Sequence, residues 1–237
     1  MELLIGKLLK KFKKICRLLT TNSFALNQLD LKLVPFLKKR HGFFIEVGAN
    51  NGIRQSNTLY FEKYKAWKGL LIEAVPSLAD ECRKNRKKCI IENCALVASD
   101  YAFDQIEIEY CDLYSVVRDG SLEKEWVENH IQSGKKYLKN GDQIYQISVK
   151  AQTLTQVLEK YRIDHIDFLS LDVEGYETEV LKGLDFNRYL PDFLLIEVRS
   201  GVNMESIIGS HYDFVKALNV NEKYSDILFR SKYFLGE

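Results

Sequence analysis

No apolar run in the 237 residues reaches the roughly 18–20 needed to cross a bilayer. The N-terminus lacks the uninterrupted apolar stretch and small-residue cleavage site of a secretory leader, so the expected location is the cytoplasm. Cysteine is scarce and odd in number: Cys16, Cys82, Cys89, Cys94 and Cys111. None is spaced C-x-x-C, which removes zinc knuckles and disulfide frameworks and leaves buried free thiols in a reducing compartment. Charge is nearly balanced, 34 basic against 33 acidic residues for a net +1, so no global field attracts nucleic acid. Two short patterns are also missing. After the first apolar strand there is no G-x-G-x-x-G, and nowhere a D/N-P-P-Y/F where an amino-group methylase would carry it.

What remains is ordinary globular composition, 46% apolar and 28% charged, on a chain long enough for one domain with a sizeable core. The exception is the start. Leu4, Leu8, Phe12, Ile15 and Leu19 recur at helical spacing over residues 3–19, opposite Lys7, Lys10, Lys11, Lys13, Lys14 and Arg17. Residues 1–40 therefore read as a basic amphipathic helix and linker, able to make peripheral contact with anionic lipid through residues 1–20 or to pack on its own domain. Residues 41–237 read as the main domain, with an insert at about 119–149.

Within that domain strands alternate with helices. Apolar runs at 43–47, 69–73, 89–92, 144–150, 165–171 and 193–198 are separated by helical stretches at 56–64, from Pro76, at 153–161 and around 177–182. Residues 104–118 alternate in period two, as a hairpin-like insert, and residues 121–140 are polar and helix-prone. The tail, 219–224 and 226–234, supplies an antiparallel pair. Such alternation implies a mostly parallel sheet covered on both faces, with ligands beyond the carboxyl ends of the strands.

Three acids fall at those carboxyl ends: Glu46, Glu73 and Asp172. Glu73 stands 25 residues after Gly48, close to the distance from a glycine loop to a ribose-binding acid. The loop itself, FIEVGANNG (44–52), places Glu46 beside glycines and two asparagines, Asn50 and Asn51. An acid with side-chain amides suits a cationic, amino-acid-like ligand better than a pyrophosphate. S-adenosylmethionine, a sulfonium carrying a ribose and an amino-acid tail, fits that description.

FIEVGANNG, then SNTLYFEKYKAWKGLLIEAVPSL (56–78), then IDFLSLDVEGYETEVLKGLDF (166–186), closely resemble the motifs of the FkbM family of S-adenosylmethionine-dependent methyltransferases. The resemblance covers about residues 42–118 and 150–200 and leaves out 1–41 and 119–149. It implies a class I methyltransferase, Rossmann-like α/β fold: a seven-stranded, mostly parallel sheet with helices on both faces and one antiparallel strand. It also implies O-methylation of a hydroxyl on a sugar or polyketide-type product. Carried onto this chain, Glu46, Gly48, Asn50, Asn51 and Gly52 form the first cofactor motif. Glu73 holds the ribose, with Ala74 beside it; Asn93, Cys94 and Ala95 lie near the adenine, and Asp172 opens a further motif.

Asp172, Glu174 and, if its strand is a neighbour, Glu197 converge on the pocket as candidate catalytic acids. Carboxylates that close raise one another's pKa or call for a cation. Asp172, helped by Glu174 or Glu197, would take the acceptor's proton or position a divalent ion that acidifies it. The competing reading is that Asp172 and Glu174 merely cap the helix that follows. His130, in the insert, could reach the substrate mouth. His41 and His165 precede strands, and His211 is expected on a late helix at the surface. Asp112, Tyr114 and Ser115 with the insert could form an acceptor lid.

The expected partner is thus a small-molecule or glycan acceptor, in a glycan, glycolipid or glycosylated product, with no nucleic acid. No feature specifies a metal-binding set or an oligomeric state. The rivals are an NAD-dependent dehydrogenase or epimerase on a similar sheet, and a non-catalytic family member that binds cofactor or glycan without turnover.

Overall fold

A computed structural model describes residues 22–138 and 141–236. The helix expected over residues 3–19, and Cys16 with it, lie outside the described residues.

The apolar runs form strands because each is buried on both sides. Strand β1 (Phe43–Val47) pairs in parallel with β2 (Lys68–Ile72) on one side and β8 (Phe168–Leu171) on the other. β2 pairs with β3 (Ile90–Glu92), and β8 with β9 (Phe193–Arg199), again in parallel. The tail folds back as β10 (Tyr212–Val220) and β11 (Tyr224–Ser231), and β11 inserts antiparallel between β9 and β10. The order across the sheet is β10-β11-β9-β8-β1-β2-β3, seven strands of which only β11 runs against the rest. That is the class I methyltransferase sheet.

Period-two alternation within strands sorts side chains to two cores. Ile45, Val47, Leu70, Ile72, Leu169 and Leu171 face one core, where α5 (Leu154–Tyr161) adds Leu154, Val157 and Leu158. Phe44, Leu71, Phe168 and Leu195 face the other, against Leu29 and Leu33 of α1 (Leu29–Leu33), Phe61 of α2 (Leu59–Lys65) and Cys82 of α3 (Pro76–Asn85). Helix starts follow local chemistry. Thr153 and Gln156 make a reciprocal capping box on α5, and Pro76 opens α3.

Three features depart from the sequence reading. The strand expected at 144–150 does not join the main sheet. As β7 (Tyr145–Gln152) it pairs with β4 (Ala95–Leu96) and with β5 (Gln105–Tyr110), which also carries β6 (Val116–Val117), giving a separate four-stranded sheet. The tail hairpin begins earlier than expected, at Tyr212, with its turn at Asn221–Lys223. His211 accordingly sits at the mouth of β10 rather than on a helix, its ring stacked on Phe186 at 5.1 Å. The remaining helices are α4 (Lys124–Lys135), α6 (Glu177–Lys182) and α7 (Glu205–Ile208). No described helix is long and apolar enough to cross a membrane.

Successive connections run outward from β1 in opposite directions, toward β2 and β3 on one side and β8 and β9 on the other. The sheet's switch point is therefore between β1 and β8, where a crevice opens beyond the strand ends.

Candidate active site

A cavity of about 840 Å³, open to solvent, occupies that crevice. Its floor is the turn after β1. Gly48 adopts φ +78°, and a Cβ there would lie 1.8 Å from the carbonyl oxygen of Asp172, so only glycine lets the two strand ends meet. Gly48 and Ala49 both donate backbone N–H groups to Ile72 O, at 3.0 and 3.2 Å, which draws the turn toward the end of β2.

Glu73 stands at that end. Its carboxylate accepts the Asn50 N–H at 2.7 Å and the Val75 N–H at 2.9 Å. Burial nevertheless pushes its pKa up to about 7, against the opposing pull of those amides. A carboxylate has about four lone-pair sites, so two remain for a vicinal diol. Along the same wall lie Ala74, Val75, Leu78, Ala95 and Leu96, an apolar slot.

The opposite side is acidic. Asp172 and Glu174 line the cavity, and the parallel pairing of β8 with β9 makes Glu197 the neighbour of Asp172. Asp172 is held well above the usual carboxylate range by burial and then by Glu177, Asp226 and Glu46. Glu174 rises through burial, Asp172 and Glu177, and Glu197 through burial and the same group of acids. The charges that raise Asp172 and Glu174 are other carboxylates. Such a floor favours a cation or a shared proton.

Cavity contact divides the expected site residues. Gly48, Asn50, Glu73, Ala74, Cys94, Ala95, Asp172 and Glu174 line the cavity; Glu46, Asn51, Gly52, Asn93 and Glu197 do not. Glu46 is buried on the other side of β1, where its carboxylate accepts from Ser56 Oγ (2.9 Å), Asn57 N (2.7 Å) and Thr58 Oγ1 (2.6 Å). Arg86, fully buried, approaches it to 3.5 Å and also pairs with Glu62. Period two explains the difference: Val47 faces the cavity, so Glu46 must face away. Asn51 serves the loop, its Oδ1 accepting from Ile53 and Arg54. Gly52, at φ +79°, gives its carbonyl to Arg86, and Asn93 ties down the carbonyls of Glu73 and Ala74.

Neither Asp172 nor Glu174 caps α6, whose N-cap position Tyr176 has no side-chain cap bond; Glu177 instead braces the turn before it, its Oε1 accepting from Val173 N (3.0 Å) and Gly175 N (3.1 Å). Glu174 itself sits at φ +53°, an unusual conformation for a side-chain-bearing residue.

Sequence reasoning missed Gln55, Val117 and Tyr176, which also line the cavity. Gln55 follows the turn at φ +59°, and no pattern marks it. The suggested lid is partly in place: Asp112 and Ser115 line the cavity, and Asp112 receives Arg54 Nη1 on both oxygens, at 2.8 and 2.6 Å. The insert helix α4 closes the acidic side with Trp126 and His130. Among the described residues, one group of three His, Cys, Asp or Glu brings ligand atoms within 4.8 Å of one another. It is His165, Asp167 and Asp192, which precede β8 and β9 at the far end of the sheet; the cavity acids form no such group.

The residues present fit S-adenosylmethionine on the chemistry of the donor set. Glu73 offers free lone pairs to a ribose diol, the slot by Ala95 and Leu96 suits an adenine, and the acidic floor suits a sulfonium and an ammonium.

Comparison with curated protein sequences finds no match. Among solved structures, a TehB-like SAM-dependent methyltransferase from Corynebacterium glutamicum aligns at 11% identity over 96% of this chain and 97% of its own, with a TM-score of 0.44. A SAM-dependent methyltransferase from Aquifex aeolicus aligns at 10% identity over 85% and 88%, also at 0.44. The 1,6-didemethyltoxoflavin-N1-methyltransferase of Burkholderia thailandensis, solved with S-adenosylhomocysteine, aligns at 11% over 96% and 87%, again at 0.44. The sequence match is the decisive one. A profile of the Methyltransferase FkbM domain covers residues 46–220, from the end of β1 through β10. The chain belongs to the FkbM methyltransferase family, the S-adenosylmethionine-dependent family its motifs resemble.

Proposed function

We propose that this protein transfers a methyl group from S-adenosylmethionine to a hydroxyl oxygen, on a sugar of a glycan, glycolipid or glycosylated product. The observation that carries the reading is the pairing of Glu73 at one end of the cavity with Asp172 and Glu174 at the other. When bound, the cofactor supplies an electrophilic methyl on a sulfonium.

Glu73 would accept the ribose hydroxyls, with Gly48, Asn50, Ala74, Cys94 and Ala95 shaping the walls around it. Asp172, whose proton affinity is raised by burial and neighbouring carboxylates, would orient the acceptor hydroxyl and, with Glu174 beside it, draw on its proton. Much of the acceleration would come from orientation, since methyl transfer is an in-line displacement. A sugar suits the acidic side because its hydroxyls donate to carboxylates, and Trp126 of α4 and Tyr114 of the β5–β6 connection add aromatic surface beside His130. The basic residues of 1–20 would bring the enzyme to an anionic membrane surface when the acceptor is lipid-linked.

The test is a methyl-release screen across nucleotide sugars, lipid-linked glycans and free sugars, with and without Mg²⁺ and chelator. S-adenosylhomocysteine should appear with at least one hydroxylated acceptor, and Asp172→Asn should lower kcat about 100-fold or more while cofactor affinity holds. Binding of NAD in preference to S-adenosylmethionine would return the chain to the dehydrogenase reading. Near-normal turnover by Asp172→Asn would remove Asp172 from the chemistry.

A further inference from the structure

The insert helix α4 does more than cover the cavity. Gly175, at φ +95°, has no Cβ, and one built there would come within 3.1 Å of Trp126 Cη2 and 3.2 Å of Arg199 Cδ. The helix is therefore seated directly on the turn that carries Asp172 and Glu174. Trp126 is packed between the Arg199 guanidinium, 4.1 Å from its ring centroid, and the His130 ring, stacked at 4.7 Å and 20°. Tyr114 flanks His130 on another side, ring centroids 5.0 Å apart, and stacks in turn on Tyr137. These contacts leave the imidazole little freedom to turn.

Held so, His130 places Nε2 3.2 Å from Glu174 Oε2. Nε2 is buried and finds no aligned hydrogen-bond partner among the described residues. A buried ring nitrogen without a partner is costly. A proton carried by Glu174 would satisfy both groups once the carboxyl, 3.2 Å away, turns into line with the Nε2 lone pair. Glu174 lines the cavity, at a backbone conformation that side chains seldom adopt, and such strain collects at functional sites.

We propose that His130 acts through Glu174 as the final acceptor of the proton released in methyl transfer, a positioning residue one bond removed from the acceptor hydroxyl. The proposal rests on the methyl-transfer reading above. At rest the pair holds one proton, on Glu174, within 3.2 Å of His130 Nε2. As the acceptor oxygen forms its bond to the methyl carbon and the carbon–sulfur bond breaks, the hydroxyl proton passes to Glu174. The proton already on Glu174 moves to His130 Nε2. The products are the methyl ether, the thioether and an imidazolium, so the positive charge that leaves the sulfonium reappears on His130.

Charges facing the imidazole agree with a neutral resting state. Burial, then Lys223 at the β10–β11 turn and Arg199 at the end of β9, push its pKa down to about 4. An acceptor oxygen that has gained a methyl is far more acidic than that, so even so weak a base takes its proton.

The first test needs no acceptor. In the full chain with ¹³C-labelled histidine, the His130 Cε1 resonance is followed from about pH 3 to about pH 10. Coupled groups titrate in two macroscopic steps, so wild type should show both and Glu174→Gln only one. A single identical step in both would overturn the proposal. The second test uses His130→Gln with an acceptor identified by the screen. S-adenosylmethionine affinity, by calorimetry, should change less than about twofold while kcat falls at least ~100-fold. A kcat within about threefold of wild type would also overturn it, whatever the titration shows. Failure of wild type to bind S-adenosylmethionine would overturn it through the reading beneath it. Should His130→Gln not fold, the titration decides alone.

Discussion

Replacing Glu46 with glutamine separates two roles that the sequence assigns alike. Its carboxylate is met by hydroxyls of Ser56 and Thr58 on Oε2, by the Asn57 N–H on Oε1, and by Arg86 at 3.5 Å. Glutamine offers one acceptor oxygen and one amide. If the oxygen stays with Asn57, the amide faces a buried guanidinium. If it flips, the amide meets the Asn57 N–H, donor against donor, across 2.7 Å. Either way one bond to a charged acceptor is lost, worth about 1.5–3 kcal/mol, and Arg86 keeps only Glu62 as a counter-charge. The expected cost is about 3 kcal/mol, a large share of the ~5–15 kcal/mol that holds a domain together. Urea unfolding should show that loss. Calorimetry on the folded fraction should show S-adenosylmethionine affinity within about threefold of wild type. A Glu46→Gln protein within about 1 kcal/mol of wild type, with affinity weakened tenfold or more, would refute the reasoning and return Glu46 to the cofactor.

Glu73 links the ligand to pH. With its folded pKa near 7, binding to the ionised form should weaken roughly tenfold per unit as pH falls below about 7, in titrations of wild type but not of Glu73→Gln. The sign for stability is opposite: the raised folded pKa means the unliganded protein loses stability as pH rises from about 4.5 to about 7, on the order of 3 kcal/mol, and thermal melts of Glu73→Gln should lack that slope. Gly48→Ala drives a Cβ to 1.8 Å from Asp172 O at φ +78°; a loss of at least about 2 kcal/mol in unfolding and of measurable ligand binding is expected. Arg54→Ala frees Asp112, which lines the cavity, so the cofactor product should dissociate several-fold faster in stopped-flow with little change in chemistry.

The sheet was legible because its signals are local and redundant. Buried runs such as FFIEV and FLLIEV report both the strand and its two-sided burial, and Pro76 and Thr153 mark helix starts in residues that do little else. The position of Glu73, Asp172 and Glu174 followed from strand ends, which a parallel sheet aligns. What the sequence could not carry was partnership at a distance. Residues 144–150 read as one more strand of the main sheet, but as Tyr145–Gln152 they join a separate one, because pairing with β5 depends on contacts some forty residues away. Glu46 looked like Glu73, an acid at a strand end. One step of register turns it to the far face, and Arg86, 40 residues on, is what makes that burial tolerable. His130 was legible only as a histidine in an insert; its approach to Glu174 is made by the docking of α4 on Gly175.

Hydrogen-bond supply divides the acids more sharply than position does. Glu46 and Glu177 are occupied by protein donors, three on the first and two on the second, and both hold loops in place. Glu73 is half-occupied, two amides on a group that can take four bonds, which suits an acid that must be rigid and still bind a diol. Asp172, Glu174 and Glu197 receive no hydrogen bond from a protein donor among the described residues, although all three are crowded by one another. An acid deprived of donors and surrounded by like charge binds a proton or a cation more tightly than its neighbours do. A reaction that consumes a sulfonium and releases a proton brings both to this place. On the proposed methyl transfer, the saturated acids would build the turn, the half-saturated acid would bind, and Asp172 and Glu174, the deprived acids that line the cavity, would face the chemistry.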